Sequence, residues 1–143
     1  MRFYFDTSAL VPLYVPESAS SQSAERLRRA TSVCVSWLAE VEFRFALALK
    51  TRTKALAPEP ATTVLRAFQR HLDQRLYQLL PMDRGVFAQA VLWLEQLSTP
   101  LRCLDALHLA CCHREQCVLV TLDAALARSA RRLGVPCDFI GAD

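Results

Sequence analysis

The chain has 143 residues, 52% hydrophobic and 22% charged, with a net charge of +3. That length suits one domain, and the composition supports a buried core and argues against wholesale disorder. No run approaches the roughly 18 apolar residues of a membrane span, and a lone Arg2 before a short apolar stretch broken by Asp6 does not read as a secretory signal. The six cysteines (Cys34, Cys103, Cys111, Cys112, Cys117 and Cys137) are therefore expected as reduced thiols in a cytoplasmic protein. The excess of 17 Lys plus Arg over 14 Asp plus Glu tolerates a polyanionic partner without identifying one.

Strand-like apolar runs alternate with helical periodicity along the chain. Residues 2–6 form the first strand pattern, followed by helical patterns over 8–15 and 18–30, the latter with Ser18 and Gln22 as a start signal. Ser32-Val33-Cys34-Val35-Ser36 is a second strand, and 37–52 a long helix. Lys54 to Pro60, with two prolines, reads as an exposed loop before a helix over 60–75. Residues 77–81 form a third strand pattern, and Asp83 starts a helix over 84–97. A helix over 104–115, a strand over 117–121, a helix over 124–133 stopped by Gly134 and Pro136, and a strand over 136–140 complete the chain. Buried strands separated by helices imply an α/β fold, a parallel sheet covered on both faces in one three-layer domain over 1–143.

Four acids stand out because such a fold can bring them together: Asp6, Glu42, Asp105 and Asp123. Asp6 and Asp123 follow strand patterns, at the carboxyl ends where open parallel sheets build their sites. Each of Asp6, Asp105 and Asp123 also reads as a helix cap, and capping does not exclude a second task. Glu42 is harder to explain locally. It shares a helical face with Leu38, Phe45 and Leu49, and no residue three or four positions away is basic. Glu40, by contrast, has Arg44 one turn on. Gathered carboxylates repel unless a cation joins them, and hard oxygen donors suit Mg²⁺ or Mn²⁺. Relief of that repulsion implies that Glu42→Gln raises the melting temperature of the metal-free chain.

Asp6-Thr7-Ser8-Ala9-Leu10, Ser36 six before Glu42, Leu104-Asp105-Ala106-Leu107-His108-Leu109-Ala110 and Thr121-Leu122-Asp123 occur in this order. Together they resemble the PIN domain, and in particular the VapC-like toxins of type II toxin–antitoxin pairs. The resemblance spans nearly the whole chain. It implies a PIN-like α/β/α sheet of strand order 3-2-1-4-5 with about seven helices, and a Mg²⁺- or Mn²⁺-dependent ribonuclease acting on RNA phosphodiesters. Asp6, Glu42, Asp105 and Asp123 would be the acidic quartet that holds metal, with Ser8 and Thr121 as pocket hydroxyls. Ala124 and Ala125 stand where some relatives carry a further acid, which leaves one or two metals open. A cognate antitoxin and a homodimer or toxin–antitoxin hetero-oligomer are the implied partners, with no membrane.

Other features read more plainly. His108 shares a face with Leu104 and Cys111 and reads as a packed core histidine, and the cysteines around it as buried thiols rather than a zinc site. Arg102, just before Asp105, is placed to reach a substrate phosphate. Leu10, Val11, Leu13, Tyr14 and Val15, with Leu47 to Leu49, offer apolar surface on the side where the resemblance implies an antitoxin groove. Two other classes compete. A HAD-like or receiver-like phosphotransfer domain also sets acids at strand ends, but Ser8 stands where the HAD pattern wants a second Asp, and no lysine follows Lys54. A catalytically silent PIN-like module that binds RNA or protein would not need a complete quartet.

Overall fold

Phe3-Tyr4-Phe5 is an unbroken apolar run, the signature of a strand buried on both faces. It forms β1 (Arg2–Phe5), the central strand of a parallel five-stranded sheet in the computed structural model, which describes residues 1–142. The other strands are β2 (Ser32–Ser36), β3 (Gln78–Leu80), β4 (Val118–Thr121) and β5 (Cys137–Phe139). Their spatial order is β3-β2-β1-β4-β5. Tyr4 pairs with Cys34 on one side and Leu119 on the other, so β1 is hydrogen-bonded along both edges.

Strand alternation divides the core in two. Tyr4, Cys34 and Leu119 point to one face and pack with α5 (Arg84–Glu95), α6 (Cys103–Arg114) and α7 (Ala124–Arg132) through Val86, Trp93, Leu109 and Leu126. Phe3, Phe5, Val33, Val35 and Val120 point to the other and pack with α1 (Thr7–Leu10), α3 (Trp37–Arg52) and α4 (Pro58–Asp73) through Leu10, Phe43 and Phe68. The seventh helix is α2 (Ser20–Arg29). The architecture expected from the sequence, three layers with strand order 3-2-1-4-5 and about seven helices, is the one observed, with seven α-helices among the described residues.

Several local expectations change. The helix expected over 8–15 divides into α1 and a 3₁₀ turn at Val11–Leu13, because Pro12 has no N–H for an α-helical bond. The loop expected over 54–60 ends early: α4 starts at Pro58, in the first turn, where a missing N–H is harmless. Ser18 does not cap α2; Ala19 holds that position without a side-chain bond. Arg44 donates to the Glu40 backbone carbonyl and to Gln69, and among the described residues it makes no ion pair with Glu40. Asp83 and Gly134 (φ 75°) act at their helix ends as expected. Among the described residues no helix is long and apolar enough to cross a membrane.

The buried face of α3 is Ala39, Phe43 and Leu47, not the face of Leu38, Glu42, Phe45 and Leu49. Phe43 stacks on Phe68 with ring centroids 4.1 Å apart, and both rings are fully buried. Phe43→Ala should therefore lower the unfolding free energy by about 3–5 kcal/mol. Phe45→Ala, at an exposed position, should change it by less than about 0.5 kcal/mol. Urea unfolding of the two variants measures the contrast; equal losses would mean that α3 packs by its other face.

Candidate active site

Strand order reverses between β1 and β4, and the crevice at their carboxyl ends is where parallel sheets place ligands. Asp6 enters it directly after β1. It caps α1 by accepting from Ala9 N at 3.0 Å, which occupies Oδ1 together with the Ser8 hydroxyl at 2.6 Å. Thr121 donates to the other oxygen, Oδ2, at 2.6 Å. Both hydroxyls also tie in the opposite turn: Ser8 Oγ accepts from Leu122 N (2.9 Å) and Thr121 Oγ1 from Asp123 N (3.0 Å). Ser8 and Thr121 thus fasten the β1–α1 turn to the β4–α7 turn around one carboxylate. Burial pushes the Asp6 carboxyl upward, against the opposing pull of His108 and of these hydrogen bonds.

Glu42 reaches the crevice from α3 and has a basic partner after all. His108 Nε2, on α6, donates to Glu42 Oε1, and Thr7 Oγ1 donates to the same oxygen at 2.9 Å. The imidazole is itself held from behind, because the Tyr4 hydroxyl bridges His108 Nδ1 (2.6 Å) and Ser36 Oγ (2.8 Å). Ser36 Oγ in turn accepts from Ala39 N and caps α3. Burial raises the Glu42 carboxyl, but the hydrogen bond and charge of His108, with the Thr7 hydroxyl, outweigh it and hold the group below the usual carboxylate range.

Asp105 and Asp123 share a single cation. Arg102 Nε donates to Asp105 Oδ2 at 2.8 Å, and Arg102 Nη2 donates to Asp123 Oδ2 at 2.6 Å. Asp123 Oδ1 accepts from Leu126 N and caps α7. Asp105 is not a cap. It lies in the first turn of α6, where a negative charge complements the helix dipole, and Arg102 occupies the cap position without a side-chain bond. The hydrogen bond to Asp105, then the charges of Asp105 and Asp123, hold the guanidinium proton more tightly than usual.

Short polar contacts run between the segments that carry the acids: Thr121 bonds both the Asp6 carboxylate and the Asp123 backbone N–H, Arg102 bridges the Asp105 and Asp123 carboxylates, and Thr7 and His108 tie Glu42 to α1 and α6. The acids are linked rather than converged. Among the described residues no three His, Cys, Asp or Glu side chains lie close enough to hold a metal ion. The donors are nonetheless hard oxygens suited to Mg²⁺ or Mn²⁺, and Asp105 and Asp123 already face one shared positive charge. The donor set fits such an ion. A cavity of about 570 Å³ lined by Gln89, His113, Arg114, Cys117 and Pro136 lies elsewhere, at the amino end of β4.

The model of the PIN domain family matches residues 3–132. The chain belongs to the PIN domain family. That match separates it from phosphotransfer domains of the HAD or receiver type. No curated protein sequence matches the chain. Among solved structures, FitAB bound to the IR36 DNA fragment has a similar fold at TM-score 0.75 and 16% identity, over 96% of this chain and 94% of that one. VapBC2 from Rickettsia felis bound to promoter DNA aligns over 100% of both chains, at TM-score 0.70 and 15% identity. Mycobacterium tuberculosis VapC20, described as a sarcin–ricin loop cleaving toxin, aligns at 0.65 and 13%, over 89% of this chain and 94% of that one. At these identities the likeness is one of fold.

His108 and Tyr4, which belong to this PIN-domain crevice, were not among the site residues read from the sequence. His108 is buried, as expected of a core histidine, yet it is also the partner of Glu42. The available signal was its place one turn after Asp105; Tyr4, on a strand interior, carried none. Of the cysteines near it, Cys111, Cys112 and Cys117 are buried, but Cys103 is exposed because it begins α6 on the outer side.

The His108 contact reverses the expected sign for Glu42→Gln. A carboxylate whose folded value is depressed adds stability above its ordinary titration range, and that share is lost as pH falls through the depressed value. Glu42→Gln should therefore destabilise the metal-free chain by about 1–3 kcal/mol near neutral pH. The gap between variant and parent should close below roughly pH 4. Thermal melts in EDTA from pH 3 to 7 measure this; a higher melting temperature for the variant at pH 7 would mean that carboxylate repulsion outweighs the His108 contact.

Proposed function

We propose that this PIN domain, residues 1–143 acting as one unit, is a Mg²⁺- or Mn²⁺-dependent endoribonuclease and the toxin of a type II toxin–antitoxin pair. The observation that supports the reading is the gathering of Asp6, Glu42, Asp105 and Asp123 around one crevice at the carboxyl edge of the sheet, where strand order reverses, with Asp105 and Asp123 bridged by one guanidinium. Helix capping accounts for Asp6 and Asp123 only. Asp105 and Glu42 cap nothing.

In this reading Asp6, Asp105, Asp123 and Glu42 hold the metal. When bound, it supplies charge neutralisation at the phosphate and acidifies an attacking water. The chain's own groups do the rest. Ser8 and Thr121 fix both oxygens of Asp6, so its orientation does not depend on the ligand. Thr7 and His108 occupy Glu42 Oε1 and leave Oε2 for water or metal. Arg102, exposed at the rim and paired with Asp105 and Asp123, is assigned to a substrate phosphate once those carboxylates release it.

The cleavage of the sarcin–ricin loop by VapC20 supports RNA as the substrate class, and the two-protein complexes among the fold's neighbours support an antitoxin partner. The apolar residues Leu10, Val11 and Val15 are buried core and do not offer that surface. The exposed apolar stripe is Trp37, Val41, Phe45 and Leu49, one residue per turn along the outer side of α3. We assign this stripe to contact with the antitoxin or a second copy of the chain, in the cytoplasm.

Asp6→Asn should cut RNA cleavage in Mg²⁺ by more than about 100-fold, beyond the loss typical of an outer ligand partner. The fold should survive, since Asn keeps one acceptor and both neighbouring hydroxyls can reorient. Cleavage of total RNA by the purified variant, beside its circular dichroism melt, is the measurement; undiminished cleavage that EDTA still abolishes would sink the assignment of Asp6.

A further inference from the structure

Two of the four acids are held by groups that belong to the folded frame. Asp6 rests on the Ser8 and Thr121 hydroxyls, and Glu42 on the His108 imidazole, which is buried and anchored by Tyr4. Asp105 and Asp123 are held differently. Their shared partner is the side chain of Arg102, 68% exposed and rooted at the amino end of α6. The guanidinium engages Oδ2 of Asp123, the one oxygen that capping of α7 leaves free, and Oδ2 of Asp105. At Asp123 this is the oxygen a cation in the crevice would use.

We propose that Arg102 is the resident cation of the Asp105–Asp123 pair, and that a divalent metal reaches these carboxylates by displacing the guanidinium. The inference rests on the reading of the quartet as a metal site, and it explains why the acids are linked but do not converge. Without any cation the two carboxylates would face each other unscreened across the mouth of the crevice. Arg102 removes that repulsion while the metal is absent. Exposed ion pairs are weak and salt-sensitive, so the guanidinium is exchangeable in a way that a buried partner is not. One positive group replaces another, and the exchange frees a planar fork of N–H donors beside the site. That fork suits a phosphodiester oxygen pair better than an ammonium would. Arg102 is thus a positioning residue for Asp105 and Asp123 before metal binds, and becomes available to substrate only afterwards.

The test is a metal titration that does not depend on cleavage. Isothermal titration with Mn²⁺ compares the full chain with Arg102→Gln, which keeps a polar side chain of similar reach but carries no charge. The variant should bind Mn²⁺ about tenfold more tightly, the scale expected when two exposed ion pairs no longer compete. Arg102→Lys, with charge but no fork, should fall between the two. In parallel, the Arg102 Nε–H resonance of ¹⁵N-labelled protein, assigned by its loss in Arg102→Lys, should shift with Mg²⁺ in step with saturation. Equal affinities for parent and Arg102→Gln, or an Nε–H signal unmoved at full Mg²⁺ occupancy, would overturn the exchange while leaving a metal-binding quartet intact. Failure of both chains to bind Mn²⁺, with RNA cleavage persisting in EDTA, would instead remove the metal-dependent reading itself and this inference with it.

Discussion

A carboxylate buried at the end of the central strand has to be solvated by the protein, and the crevice is organised around that requirement. Asp6 loses water on entering the junction of β1 and α1 and replaces it with one backbone N–H and two hydroxyls. Those hydroxyls come from Ser8 on one turn and Thr121 on the other, so meeting the need also closes the gap between β1 and β4. The position of Asp123 follows, because its backbone N–H is bound by the same Thr121 that serves Asp6. One buried charge therefore sets the spacing of two loops.

The remaining acids answer the same requirement with different partners, and the difference has consequences. Glu42 has an imidazole locked by a tyrosine and a serine, a chain of contacts that runs from the α3 cap through the core to the crevice. Such a partner is rigid and partly shielded from solvent. Asp105 and Asp123 have an exposed, solvated guanidinium. The crevice thus has one half whose partners are buried and one half whose partner is exposed.

The fold itself was legible because its signals are local and repeated. Phe3-Tyr4-Phe5 and Val118-Leu119-Val120 are short apolar runs, and helices α2 to α6 between them run for ten residues or more. Errors fell where a single residue decides the geometry. Pro12 tightened one helix into a 3₁₀ turn, and Pro58 began a helix instead of preceding one. Register along α3 was a subtler case, because apolar residues occupy most of its circumference. Ala39, Phe43 and Leu47 and the stripe of Val41, Phe45 and Leu49 are equally oily in the sequence, and only the sheet beneath them distinguishes inside from outside.

For the site, the sequence by itself picked out four candidate acids and placed Asp6 and Asp123 at the carboxyl ends of strands, because strand runs and helix caps are written in neighbouring residues. The order Asp6, Glu42, Asp105, Asp123 was sufficient to select a fold family and a class of reaction to test. It could not show who neutralises whom. His108 meets Glu42 across 66 residues, Thr121 meets Asp6 across 115, and Arg102 meets Asp123 across 21. Such pairings arise where α3 and α6, which cover opposite faces of the sheet, both reach its carboxyl edge, and where one βα turn meets another. Only the tertiary structure decided them, since a charge is solvated by whatever the fold brings near it and not by its neighbours in the chain.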